Sequence, residues 1–425
     1  MGLAEDLSQR LGGEVGDLER MLGGASRETW SLTLDARPLV YRRDPPGAPR
    51  AGAMRREAAL LRAAAAAGVP VPEVVDADDD SIVMQRLFGE TIARRILRDD
   101  AYAEARPRLA AQLAQAAAAL HHGVGADDVP GLPDDTDVLA TLRDTLDRLG
   151  EPHPALELGL LRLARSRPAP TGRCVVHGDL RLGNVVVDET GLVGVLDWEL
   201  AHLGDPIEDL GWMCVRSWRF GGASPAAGVA TREQLLDAYL AAGGAKVDVD
   251  ALVWWEAYGT LRWGVICVQQ AATHLTGAVR SVELATIGRR VCEVELDLLD
   301  LLTGPRPVDP DPEAAPLPGP HDRPTATELL DAVGEWLGQL PLTGRDAFLS
   351  RVVGRALDTV RREITLGPVL ARRHRARLDA LGVRDDAELA AAIRSGRDTD
   401  DVVDAVRDAV VDKLRVADPR QLRER

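Results

Sequence analysis

Residues 174–199, CVVHGDLRLGNVVVDETGLVGVLDWE, set two short apolar runs on either side of Asp188-Glu189-Thr190-Gly191. Runs of that length around an acid-Gly reversal predict a β-hairpin, because Asp and Gly tolerate the backbone angles that a tight turn needs. Strands over 184–188 and 192–197 then run antiparallel and bring Asn184 and Asp197 to one open end. Asp179 lies on the loop entering the first strand, five residues before Asn184. Three oxygen-bearing side chains are thus expected at one rim, on a scaffold of Val and Leu.

The 425 residues, 45% of them hydrophobic, suffice for two or three packed domains. A net charge of −16, from 51 basic and 67 acidic residues, argues against a general nucleic-acid binder. No run of about 18 apolar residues predicts a membrane span, and MGLAEDLSQRLGGEV is too charged to read as a secretory signal. Cys174, Cys214, Cys267 and Cys292 are widely spaced with no CxxC pair, so they read as buried thiols and not as a disulfide frame or zinc site. The expected compartment is the cytoplasm, and neither nucleic acid nor membrane is an expected partner. Oligomeric state is left open.

Residues 304–325, GPRPVDPDPEAAPLPGPHDRPT, hold eight of the 26 prolines and no apolar period, which reads as a semi-rigid linker. Beyond it, Thr325 and Glu328 suit a capping box. Phe348, Val352, Ala356, Leu357, Val360 and Ile364 recur at helical spacing. Residues 326–425 therefore read as a small all-helical domain with no catalytic constellation, foldable on its own and available as an interaction module. Before the linker, strand-like pieces over 20–45, a helix near 52–66 and the runs PVPEVV and SIVMQRL give way to mostly helical patterns from about residue 91. His121-His122 closes an Ala-rich helix before Gly123 and reads as a C-terminal cap. The expected architecture is α+β. A two-lobed, protein-kinase-like fold covers 1–303, with an N-lobe of about 1–86 and a C-lobe of about 87–303; the linker and the all-α domain follow.

Phosphoryl transfer needs a carboxylate near the attacking hydroxyl, oxygen ligands for magnesium, and cations along the phosphates. Asp179 fits the first role, and Asn184 with Asp197 the second. HGD-x4-N followed by D-W-E differs from the HRD and DFG of protein kinases and resembles the aminoglycoside phosphotransferase family. The continuation LAHLGDPIEDLGW, residues 200–212, is similar to that family too. Within it, RLGN followed by LDWELAHLGDP most resembles the branch fused to acyl-CoA dehydrogenases in some proteins, over roughly residues 20–300. The tail resembles an uncharacterised domain found after such kinases.

The resemblance implies a phosphotransferase with ATP or GTP as donor, Mg2+ as cofactor and a small hydroxylated molecule as acceptor. It places His177 and Asp209 as supports of the HGD loop. LGGASRETWSL becomes the hairpin over the phosphates, with Gly23, Gly24 and Ser26. Kinases usually carry a Lys on the third strand, but none precedes Lys246. In PLVYRRDPPG the matching cation is Arg42, whose permanent charge and fork suit phosphate, with Arg43 turned to the opposite face and Glu57 as its helix partner. Met84, Gln85 and Leu87 fall at the expected hinge.

Trp255, Tyr258 and Arg262 share one helical face, a stripe that reads either as core or as acceptor pocket. A polycationic aminoglycoside needs several carboxylates, and 251–275 offers only Glu256, against Arg262. The expected acceptor is therefore a hydroxy acid or hydroxyacyl thioester. The alternatives are an aminoglycoside, choline or homoserine-type kinase, or a nucleotide-binding pseudokinase that regulates a partner.

Overall fold

The computed structural model describes residues 2–21, 27–45, 52–134, 136–313 and 323–423. It divides into two compact units, one formed by 1–136 and 168–256, the other by 137–167 and 257–425.

The first unit opens with an antiparallel five-stranded sheet in the order β1-β2-β3-β5-β4. The strands are β1 Val15–Arg20, β2 Glu28–Leu34, β3 Arg37–Arg43, β4 Val74–Ala77 and β5 Ser81–Gln85. Asp35 and Ala36, both at positive φ, close the reversal between β2 and β3, the twist that a two-residue hairpin loop requires. Alternation along β3 sends Leu39 and Tyr41 to one face, where they meet Leu7, Leu32 and Val83. The helix Leu3–Leu11, with Leu3, Leu7 and Leu11 along one side, covers that face; neither it nor β1 was expected from the sequence. Residue 42 therefore belongs to the opposite face. The expected helix near 52–66 is Ala53–Ala66.

Four short strands carry the rest of the first unit's site: β6 Cys174–Val176, β7 Val185–Val187, β8 Leu192–Val195 and β9 His202–Gly204. Strands β7 and β8 form the expected hairpin, pairing Val185 with Val195 and Val186 with Gly194. Its turn is built by Asp188, whose Oδ1 accepts from the backbone N–H groups of Thr190 and Gly191. Strands β6 and β9 pair antiparallel and frame the loop between them.

The second unit is helical. Ala155 and Leu158 from the helix Pro154–Arg165, Cys292, Leu296 and Leu299 from Val291–Thr303, and Leu378, Ile393, Val402, Val410 and Leu414 from the tail share one buried core. The segment expected as a linker, 304–325, falls inside this unit. The described part of that segment, 304–313, packs onto the same core through Val308, and Arg407 donates to the Gly304 carbonyl. Proline density reports local stiffness and carries no information on whether the flanking helices share a core. The capping box at Thr325 and Glu328 forms as expected. Of the expected apolar stripe, Phe348 and Val360 are exposed and Val352, Ala356, Leu357 and Ile364 are half-buried; the buried leucines of that helix, Leu370, Leu378 and Leu381, lie beyond it. Among the described residues no helix is long and apolar enough to cross a membrane.

Candidate active site

The loop from β6 carries His177, Gly178 and Asp179. Gly178 sits at φ +75°, and a Cβ there would lie 2.4 Å from the Leu200 carbonyl oxygen, so only glycine fits. Asp209, on the helix Ile207–Cys214, holds this loop from beneath: its carboxylate accepts the backbone N–H of His177 at 2.8 Å and of Gly178 at 2.9 Å. His121 Nε2–H donates to the same carboxylate at 3.0 Å, and His121 Nδ1 accepts from Tyr239 Oη at 2.9 Å. Burial alone would raise the Asp209 carboxyl, but His121, His177 and the loop N–H groups hold it below the usual range. His121 is thus a buried strut for this loop and not the helix cap that its position suggested.

His177 is fully buried. Its Nδ1 accepts the Asp179 backbone N–H at 3.1 Å, so its Nε2–H donates to the Leu196 carbonyl at 3.0 Å. One imidazole thereby ties the Asp179 loop to the strand end that delivers Asp197. Asp197 adopts φ +66°, a left-handed conformation uncommon outside glycine and enriched at functional sites.

The Asp179 carboxylate is aimed by three side chains. Arg181 Nε donates to Oδ1 at 2.8 Å, Trp212 Nε1 to Oδ1 at 2.7 Å, and Asn184 Nδ2 to Oδ2 at 2.6 Å. With its amide N–H groups committed to Asp179, Asn184 keeps its carbonyl oxygen as the remaining acceptor. Asp197 Oδ1 accepts from Arg42 Nη2 at 2.8 Å. Burial pulls the Asp197 carboxyl upward, yet Arg42, with His177 and Arg27 behind it, keeps it below the ordinary carboxylate range and therefore charged. One carboxylate and one amide oxygen suit Mg2+, a hard ion that keeps several waters. Among the described residues no group of three or more His, Cys, Asp or Glu could hold a metal unaided, and such a magnesium site needs none.

Arg42 also donates to Glu57 Oε1 at 3.0 Å, bridging the helix Ala53–Ala66 to Asp197. Burial would lower the Arg42 guanidinium, but Glu57 and Asp197 raise it above its ordinary value. Glu57 is 3% exposed, which excludes a solvated helix face. A second cation stands behind it: buried Arg27 pairs with both Glu57 and Asp44. Arg43 turns to the other face, where it pairs with Glu28 at 2.9 Å and lies over the Trp30 ring.

Met84 is buried at the end of β5 and Gln85 is exposed. Leu87 lies against the hairpin, where a Cβ on Gly194 would meet Leu87 Cδ1 at 2.3 Å. Gly23, Gly24 and Ser26 fall outside the described residues. Trp255 and Tyr258 are buried, at 6% and 3% exposure, as core side chains are. The division into units falls within their helix, Val249–Leu275, leaving Trp255 in the first and Tyr258 and Arg262 in the second. The four cysteines are free; burial pushes the Cys267 thiol up to about 12 and the others further, which makes all four poor nucleophiles.

Sequence reasoning did not single out Arg27, Arg181 or Trp212. Arg181 and Trp212 lie inside the very motifs HGDLRLGN and LGDPIEDLGW, so a cation and an indole donor so close to catalytic-type carboxylates were the available signal. Arg27 carried none.

A family model described as "Phosphotransferase enzyme family" (APH) matches residues 17–255, and a domain of unknown function (DUF6285) matches 341–421. Acyl-CoA dehydrogenase family member 10 of Mus musculus is 29% identical over 221 residues, covering 45% of this chain and 20% of that protein. Acyl-CoA dehydrogenase family member 11 of Homo sapiens is 27% identical over 269 residues, covering 55% of this chain and 34% of that protein. The chain thus spans about a fifth to a third of the length of these curated relatives. A crystal structure from Ralstonia eutropha, proposed to be an aminoglycoside phosphotransferase, superposes with a TM-score of 0.57 at 22% identity, covering 71% of this chain and 97% of that one.

Proposed function

Because this chain belongs to the phosphotransferase enzyme family, we propose that it moves the γ-phosphoryl group of ATP or GTP to the hydroxyl of a small organic acid or acyl thioester. Asp179 receives the proton of the acceptor hydroxyl as the acceptor oxygen bonds to phosphorus. The bond from phosphorus to the β–γ bridging oxygen breaks, and the nucleoside diphosphate leaves. Asn184 and Asp197 would hold Mg2+, which supplies charge neutralisation along the phosphates. Arg42, which pairs with Asp197, would offer its fork to a phosphate.

The observation that carries this reading is Arg42 bridging Glu57 and Asp197, at 3.0 Å and 2.8 Å. It supplies, with arginine, the cation that a kinase site needs and that no lysine provides in this part of the chain. The organic-acid acceptor is supported by the likeness to acyl-CoA dehydrogenase family members and by Glu256. That carboxylate, the one acid at 251–275, is already paired with Arg219 and Arg232 and does not offer a site for a polycation. A screen of hydroxylated metabolites by nucleoside-diphosphate release tests the reading. Turnover with hydroxy acids or hydroxyacyl thioesters is expected; turnover confined to aminoglycosides would overturn the acceptor class.

A further inference from the structure

Beside the Asp179 loop, the first unit holds an open cleft of about 640 Å³. Arg94, Arg98 and Arg106 line it on one side, and Phe220 with Gly221 and Gly222 on the other. No carboxylate is among its described lining residues, in a chain whose net charge is −16. Arg106 is held in place by the Ile96 and Asp99 carbonyls, at 3.2 Å and 2.8 Å, and neither Arg94 nor Arg106 has a carboxylate partner among the described residues. Among the described residues Arg98 pairs only with the adjacent Asp99, and 78% of its side chain stays exposed. Three permanent cations on one concavity whose described lining holds no carboxylate favour an anionic group there.

Packed side chains link the cleft wall to the residues around Asp179. Arg181, which aims Asp179, lies 4.5 Å over the Trp218 ring. Trp218 packs on Trp212 and on Phe220, with ring centroids at 5.4 Å and 6.4 Å. A Cβ on Gly183, next to Asn184, would lie 3.2 Å from Phe220. Phe220 itself sits at φ +50°, a conformation that a bulky side chain keeps only where its surroundings enforce it.

We infer that this cleft binds the anionic group of the acceptor, a carboxylate or phosphate, so that Arg94, Arg98 and Arg106 select acidic acceptors. The inference rests on the reading that the chain phosphorylates a small-molecule hydroxyl. Arg94 and Arg98 are surface residues, and their double replacement by alanine leaves the Arg106 hydrogen bonds intact. Inorganic phosphate, titrated calorimetrically into protein saturated with Mg-ADP, reports the site without turnover. The double variant should bind phosphate about 10-fold or more weakly, the effect of losing charge-assisted hydrogen bonds. Phosphate should also compete with an acid acceptor found in the nucleotide-release screen. For that acid and its neutral methyl ester, the kcat/KM ratio should fall about tenfold in the variant. Equal phosphate binding by both proteins, no binding by the wild type, or an acid KM indifferent to phosphate overturns the inference. If no acceptor supports release while phosphate binding still depends on Arg94 and Arg98, the kinase reading fails and the anion site stands. Turnover with phosphate binding alike in both proteins has the opposite meaning.

Discussion

Asn184 donates its amide N–H to Asp179 Oδ2 at 2.6 Å, so the residue proposed to hold Mg2+ also aims the residue proposed to face the acceptor hydroxyl. The two roles separate on substitution. Asn184→Asp keeps an oxygen ligand but sets a second carboxylate beside Asp179, and like charges that close cannot both stay ionised. Turnover should fall about 10²-fold or more, with Mg-nucleotide affinity retained within a few-fold. Asn184→Ala should lose both. Kinetics paired with calorimetry of Mg-ATP binding checks the split; equal affinity losses in the two variants would contradict it.

Asp179→Asn removes the proposed proton acceptor while leaving a side chain of the same size among Arg181, Trp212 and Asn184. Turnover should drop about 10²–10⁴-fold and ATP affinity should hold. Undiminished turnover would remove Asp179 from the mechanism.

What could be read from the sequence was the part set by neighbours along the chain. The hairpin, the rim it builds from Asn184 and Asp197, and the opposite facing of Arg42 and Arg43 all follow from turn chemistry and strand alternation over a few residues. The struts of the site were hidden because their partners are distant. His121 reaches Asp209 from 88 residues away, and Arg27 reaches Glu57 from 30; no periodicity encodes such pairings. The core that the tail shares with the helices before it was hidden for the same reason. A proline-rich segment looks alike whether it separates two cores or crosses the surface of one.

The facing of Arg42 and Arg43 gives a sharp contrast. Arg42→Ala should remove most activity, and Arg42→Lys should recover only part, because a point charge lacks the bidentate fork. Arg43 makes a half-exposed pair with Glu28, of a kind worth about 0–1 kcal/mol, and Arg43→Ala should leave kinetics nearly unchanged. Steady-state measurements on the three variants decide the assignment; a severe loss at Arg43 with Arg42 indifferent would reverse it.

Acid should loosen the Asp209 strut. Its carboxyl is held below the ordinary value in the folded chain, so its contribution is complete above the unfolded pKa of about 3.9 and fades as pH falls through the lower folded value. Asp209→Ala strands the His177 and Gly178 N–H groups and His121, and should cost about 3–5 kcal/mol near neutral pH. Below pH of about 4 the gap between wild type and variant should narrow. Denaturant titrations from pH 7 down to pH 3 measure it, and a gap that widens on acidification would refute the assignment.

Truncation near residue 305 tests the shared helical core. Leu158, Leu296 and Leu299 are essentially inaccessible, at 0%, 1% and 0% exposure, and they pack in one cluster with Leu378, Ile393, Val402, Val410 and Leu414. Ending the chain at 305 removes the second set and uncovers the first, at about 1.5–3 kcal/mol for each leucine left exposed. Three such side chains consume much of the net stability of an ordinary domain, about 5–15 kcal/mol. The shortened chain should therefore aggregate or melt well below the full-length protein, despite retaining every residue assigned to phosphoryl transfer. Size-exclusion chromatography with thermal melting distinguishes the outcomes. A monodisperse truncation with an unshifted melting temperature would show that 326–425 folds apart, as its capping box and apolar period alone suggest.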